Sequence, residues 1–68
     1  MIKVGDKFTH KKSGRVVTVV RVGKLQTDWE LGVPGLRDMD PLVVYEHDGD
    51  CWVRSVVEFG DGRFEVAP

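Results

Sequence analysis

Residues 40–59 read Asp-Pro-Leu-Val-Val-Tyr-Glu-His-Asp-Gly-Asp-Cys-Trp-Val-Arg-Ser-Val-Val-Glu-Phe. Two β-type runs, 42–47 and 51–57, flank Asp48-Gly49. Such a pair favours a two-residue hairpin turn, because both central positions of a type I′ turn require positive φ. With Asp48 and Gly49 as the loop, His47 faces Asp50, Glu46 faces Cys51, Tyr45 faces Trp52, Val44 faces Val53 and Val43 faces Arg54. Side chains alternate between the two faces of a strand. Leu42, Val44, Cys51 and Val53 therefore share one face, and Val43, Tyr45, Trp52 and Arg54 share the other.

The aliphatic face is the expected interior, and Val44, Val53, Phe59 and Phe64 are the expected core. The aromatic face has two readings. It is either a second core layer beneath another part of the chain, or a surface open to a partner; cross-strand aromatic pairing is compatible with both.

Outward from this hairpin, the N-terminal part begins with a turn at 4–6 and a strand at 7–10 that offers Phe8 to the core. A Lys-Lys-Ser-Gly turn at 11–14 follows. Residues 15–22 read Arg-Val-Val-Thr-Val-Val-Arg-Val, a β-branched run suited to a pleated sheet. Alternation puts Val16, Val20 and Val22 on one side and Val17 and Val19 on the other, so periodicity does not choose the inward face. In the 24–40 stretch Gly32, Pro34, Gly35 and Pro41 break long elements, while Leu25, Trp29, Leu31, Val33, Leu36 and Met39 are too apolar for a disordered linker. An ordered excursion packed on the rest of the domain is expected there, with one helical turn begun by Thr27-Asp28-Trp29-Glu30 and Trp29 as a lid. Long loops of this kind are often functional.

After the hairpin, 55–59 is a short strand or a 3₁₀ turn ending in Phe59. Gly60-Asp61-Gly62 turns the chain into a last strand at 63–67, with Phe64 and Val66 on one face. Four to five short strands with no long helix must roll up to hide their apolar face. The expected fold is all-β: one SH3-like antiparallel barrel over residues 1–68.

The chain has 68 residues, a length that buries only about 60% of the unfolded chain's surface and leaves a small core. Cys51 is the only cysteine, which excludes an intrachain disulfide, a redox pair and a paired-cysteine zinc site, and points to a reducing compartment. The first residues do not form the apolar run of a signal peptide, and no run approaches the length of a membrane span. A cytoplasmic protein without membrane contact is expected. The net charge is −1, but it is unevenly spread: Lys3, Lys7, Lys11, Lys12, Arg15, Arg21 and Lys24 face only Asp6 in the first 27 residues. The remaining acids lie further on, against Arg37, Arg54 and Arg63.

No catalytic signature is present. Cys51 and His47 fall on opposite faces of the hairpin, so a nucleophile–base pair is not built; a buried, inert thiol is the expected state of Cys51. His10, His47, Asp48 and Asp50 do not amount to a ligand set, and Gly60-Asp61-Gly62 is turn chemistry rather than a phosphate loop. Neither an enzyme nor a cofactor or metal is expected.

His10-Lys11-Lys12-Ser13-Gly14, Leu42-Val43-Val44-Tyr45, Asp48-Gly49 with Trp52-Val53-Arg54, and Glu58-Phe59-Gly60-Asp61-Gly62-Arg63-Phe64-Glu65 together resemble a group of small uncharacterised proteins from tailed phages and bacterial prophages. In that group proline is common where Ser55 stands. The Tyr45, Gly49, Trp52, Val53, Arg54 pattern is also loosely similar to a bacterial domain-of-unknown-function family ending in a comparable hairpin. The resemblance implies origin and context, with no catalytic residue to transfer.

Two functions follow as expectations. The first is a module that binds a host or phage protein or a small ligand through Tyr45, Trp52, Arg54 and Trp29, since aromatics beside arginine are enriched in interaction hot spots. The alternative is nucleic-acid binding through Lys7, Lys11, Lys12, Arg15 and Arg21. Oligomeric state is open, because an unpaired edge strand can recruit a second copy.

Overall fold

Asp48 and Gly49 both take positive φ, 53° and 82°, and form the type I′ turn that the hairpin requires. The turn imposes the full expected register, from His47 opposite Asp50 through Tyr45 opposite Trp52 to Val43 opposite Arg54. The computed structural model describes residues 2–26 and 37–68. The elements are β1 (Lys7–His10), β2 (Val16–Lys24), β3 (Pro41–His47), β4 (Asp50–Ser55), a one-turn helix α1 (Val56–Phe59) and β5 (Phe64–Val66). The strands form one antiparallel sheet in the order β4-β3-β2-β1-β5.

The protein is thus all-β. The expected barrel is not closed by hydrogen bonds: β4 and β5 are both edges, and among the described residues they are not paired with each other. Instead, side chains close the roll. Segment 56–59 is a turn of α-helix rather than a strand or 3₁₀ turn. Ser55 is its N-cap: the Ser55 Oγ accepts a hydrogen bond of 3.1 Å from the Glu58 N–H, an interaction that satisfies one otherwise unpaired donor of the first turn. The Ser-x-x-Glu spacing at 55–58 is the sequence signal for this cap.

The inward face of the hairpin is the reverse of the one expected. Val43 is fully buried and Tyr45 nearly so, whereas Val53 is 59% exposed, Cys51 is exposed, and Leu42 and Val44 are only half-buried. Val44 and Val53 are therefore not core residues, and Cys51 is not a buried thiol. Phe59 and Phe64 are in the core as expected. The reason lies in the neighbours supplied by β2. Tyr45 pairs with Val19 and the Val43 side continues onto Val17 and Val19, both buried; the opposite side meets Thr18 beside Glu46 and Arg21 beside Val44. An aliphatic layer next to Thr18, Glu46 and Arg21 cannot extend into a core, while one next to valines and phenylalanines can.

A β-bulge in β2 accounts for its two apolar faces. Val19 pairs with Tyr45 but Arg21 pairs with Val44, so Val20 is the extra residue and the alternation shifts there. Val22 then pairs with Val43 and shares its side, which separates it from Val16 and Val20.

The concave face is filled by aromatic rings. Phe59, carried in by α1, stacks on Phe64 at 4.2 Å between centroids, meets Phe8 edge-on at 5.0 Å and lies 5.5 Å from Tyr45. Phe64 in turn meets Tyr45 at 5.6 Å. Such pairs add about 0.5–1.5 kcal/mol each to the burial itself. Val66, in contrast, lies exposed on the free edge of β5.

Between β2 and β3 the pairing runs out to Lys24 opposite Pro41, and the Leu25 N–H donates to the Asp40 carbonyl at 2.8 Å. The base of the 24–40 excursion is therefore pinned to the sheet. The expected helical turn at 27–30 and the lid role of Trp29 lie outside the described residues.

Truncation separates the two hairpin faces. Val43→Ala should lower unfolding stability by about 1–3 kcal/mol, as for other buried truncations. Val53→Ala should stay within about 0.5 kcal/mol, as surface changes do. Urea denaturation of both variants measures the difference, and equal losses would contradict this assignment of the interior.

Candidate binding site

Tyr45, Trp52 and Arg54 project from the inward face of the hairpin into a cleft on the concave side of the sheet, where they are joined by Val17, Phe64, His47, His10, Ser13 and Arg15. The cleft encloses about 230 Å³. Drug-sized ligands occupy pockets of roughly 300–1,000 Å³, so this one is sized for a single side chain or a fragment. Its floor is apolar, from Val17, Tyr45 and Phe64, and its ionisable lining contains no aspartate or glutamate.

Arg54 is held from several sides. Its Nε donates to the Tyr45 hydroxyl at 3.1 Å, its guanidinium carbon sits 5.7 Å from the centre of the Phe64 ring, and a terminal nitrogen lies 3.5 Å from Glu58 Oε2. Glu58 is shared with Arg63, at 3.3 Å, and Arg63 also grips Asp61 through Nε at 3.1 and 3.0 Å. Exposed ion pairs of this kind contribute little stability singly. Their geometric effect is larger: Tyr45, Phe64 and Glu58 together fix the plane of the Arg54 guanidinium at the rim of the cleft. The Tyr45 hydroxyl, on a nearly buried side chain, gains the partner it would otherwise lack.

Trp52 is 46% exposed and stacks on His47, with ring centroids 5.6 Å apart and an interplanar angle of 13°. His47 is largely covered; its Nδ1 has no hydrogen-bond partner and lies 3.4 Å from Asp48 Oδ2. On the opposite wall His10 stands 5.0 Å from Phe64 and its Nδ1 shares a hydrogen bond of 2.8 Å with Ser13 Oγ. Arg15, across from His10 at the end of the first hairpin, makes no ion pair with any acid among the described residues.

Of the residues expected to bind a partner, Tyr45, Trp52 and Arg54 converge on this cleft, and Trp29 lies outside the described residues. The basic set is divided. Arg15 lines the cleft, and Lys11 and Lys12 are exposed in the adjoining turn. Lys7, paired with Thr18, and Arg21, paired with Val44, point to the convex face. His47 and Phe64 are cleft residues that the sequence reading did not assign to a site. For His47 the signal was present, since the hairpin register already puts it on the side of Tyr45. Cys51 is on the convex side and His47 in the cleft, as the register implies. Among the described residues no cluster of three or more His, Cys, Asp or Glu is arranged to hold a metal ion, and no helix is long and apolar enough to cross a membrane.

No protein-family model, curated protein or solved structure matches the chain.

The Tyr45–Arg54 bond can be weighed directly. Tyr45→Phe keeps the ring and removes the acceptor, and should cost about 0.5–1.5 kcal/mol, the net value of one hydrogen bond. An unchanged urea midpoint would mean that the hydroxyl contributes nothing to holding Arg54.

Proposed function

We propose that this chain is a non-enzymatic binding module, a phage or prophage accessory protein of the cytoplasm, that takes a segment of a host or phage protein, or a small ligand, in the cleft of Trp52, Tyr45 and Arg54. The observation that carries the reading is the state of these three side chains: Trp52 stays half-exposed beside a guanidinium already fixed by Tyr45, Phe64 and Glu58. A rigid aromatic and a preorganised arginine lose little conformational entropy on binding, which is the property that makes such residues dominate interfaces. The size of the cleft suits one inserted side chain.

Nucleic-acid binding is the second reading. It is favoured by Arg15 in the cleft wall with Lys11 and Lys12 beside it, a basic edge next to a stackable tryptophan. It is weakened by the position of Lys7 and Arg21 on the other face, which breaks the basic set into two.

Amide and indole chemical shifts of the labelled protein, followed during titration with a fragment set and with purified candidate partners, test the proposal. Binding should perturb Trp52, Tyr45 and Arg54, and should be lost in Trp52→Ala and Arg54→Ala variants that keep a cooperative thermal melt. An affinity that falls steeply and log-linearly with salt would favour the nucleic-acid reading, because phosphate contacts release counterions. Ligands that perturb only residues away from the cleft would remove the site.

A further inference from the structure

Resting on the binding-module reading, we infer that the ligand of this cleft is the free carboxyl terminus of an extended peptide, added as a strand to the open edge of β4 with its last residue turned into the cleft.

Charge supplies the first part. The cleft wall has no acidic residue, and its two guanidiniums are in different states. Arg54 is already matched by Glu58 and by the Tyr45 hydroxyl. Arg15 has no acidic partner among the described residues, so an incoming anion would meet an uncommitted, fork-shaped donor there. Size supplies the second. At about 230 Å³ the cleft lies below the roughly 300–1,000 Å³ of drug-sized sites, a size suited to one terminal residue with a short apolar side chain and its carboxylate. The apolar floor of Val17, Tyr45 and Phe64 suits the side chain, and Arg15 suits the carboxylate.

The strand edge is the independent observation. In a hairpin closed by a two-residue turn, His47 and Asp50 form the hydrogen-bonded pair next to the loop, so Trp52 and Arg54 also direct their backbone groups toward β3. Cys51 and Val53 therefore direct theirs outward. Among the described residues no hydrogen bond satisfies that outer edge. The same strand that offers these free groups carries Trp52 and Arg54 on the cleft side. Across the cleft is Phe64 of β5, the other free edge, over whose ring Arg54 of β4 lies. A peptide strand on β4 lies at this seam. Strand addition of this kind gives affinity through main-chain bonds and specificity through alternate side chains.

The test uses the full chain and an N-acetylated heptapeptide of alternating threonine and valine that ends in leucine with a free carboxylate. Chemical shifts of Trp52, Val53 and Arg15 should move on titration. The same peptide as its carboxyl-terminal amide, and the Arg15→Gln variant with the acid peptide, should each bind at least about tenfold more weakly, the loss expected for a charge-assisted hydrogen bond. Val53→Pro removes an N–H that faces away from the sheet and should abolish binding, while Val53→Ala should not. A peptide N-methylated at alternate amides removes the reciprocal bonds, in which peptide N–H groups donate to the outward carbonyls of β4, and so tests the ladder in the unaltered protein if the proline variant does not fold.

Equal binding of acid and amide would overturn the carboxylate, and full retention of binding by the N-methylated peptide would overturn the strand addition. If the peptide leaves the cleft unperturbed while a fragment or a single-stranded oligonucleotide occupies it, this inference falls and the cleft remains a site of another class. If nothing perturbs Trp52, both fall.

Discussion

One side chain, Phe59, holds the roll of the sheet. A five-stranded sheet with two free edges has a concave face that must be covered, and a chain of 68 residues has little material for a second layer. Among the described residues that cover is a single helical turn. Ser55 starts it by capping Glu58, and the next residue, Phe59, enters the concavity between Phe8 of β1, Phe64 of β5 and Tyr45 of β3. Each of these rings belongs to a different strand, and Phe59 ties Tyr45 of β3 to the paired strands β1 and β5, from which β2 separates it in the sheet. The curvature of the sheet and the packing of its aromatic core are two aspects of one contact.

From this closure by side chains follows the cleft. A barrel sealed by backbone pairing would bury its seam; here, among the described residues, no strand pairing joins β4 to β5, and Arg54 reaches over Phe64 across the seam. The rings of Trp52, His47 and His10 line the cleft beside that contact. Arg54 serves both structure and display. Its bond to the Tyr45 hydroxyl removes the cost of a buried polar group, and its pairing with Glu58 ties β4 to α1. The residue at the rim of the site is thus one that the core already immobilises, so its orientation does not depend on a ligand.

Much of the hairpin was legible because its determinants are local. Asp48-Gly49 admits one turn type, and that turn fixes every pair from 50 opposite 47 outward. Which side faces inward is not local. Val43, Tyr45, Trp52 and Arg54 alternate with Leu42, Val44, Cys51 and Val53, and aliphatic composition favoured the second set. The decision was made on the neighbouring strand β2, by Val17 and Val19 on one side and Thr18 and Arg21 on the other. The bulge at Val20 hid this further, because it shifts the alternation within β2 and makes both of its faces look apolar. The helical turn had a readable cap in Ser55 and Glu58, obscured by the β-branched pair Val56-Val57 that follows the strand.

The site was half legible for the same reason. Tyr45, Trp52 and Arg54 form one unit within a hairpin, so their shared direction follows from register alone. Arg15 and Phe64 join them only through the roll, which depends on Phe59 and on the order of strands that no local pattern states. Reversing the interior did not remove the aromatic face from consideration as a surface; it changed how that face could be both. Tyr45 is core at its ring and polar at its hydroxyl, Arg54 covers Phe64 with its charged end at the rim, and Trp52, one pair nearer the turn, remains half-exposed. Amphipathic side chains permit this division within a residue. The gradient runs along the hairpin, from buried Val43 to the open turn. A ligand can therefore engage its outer end without disturbing the packing that keeps it in place.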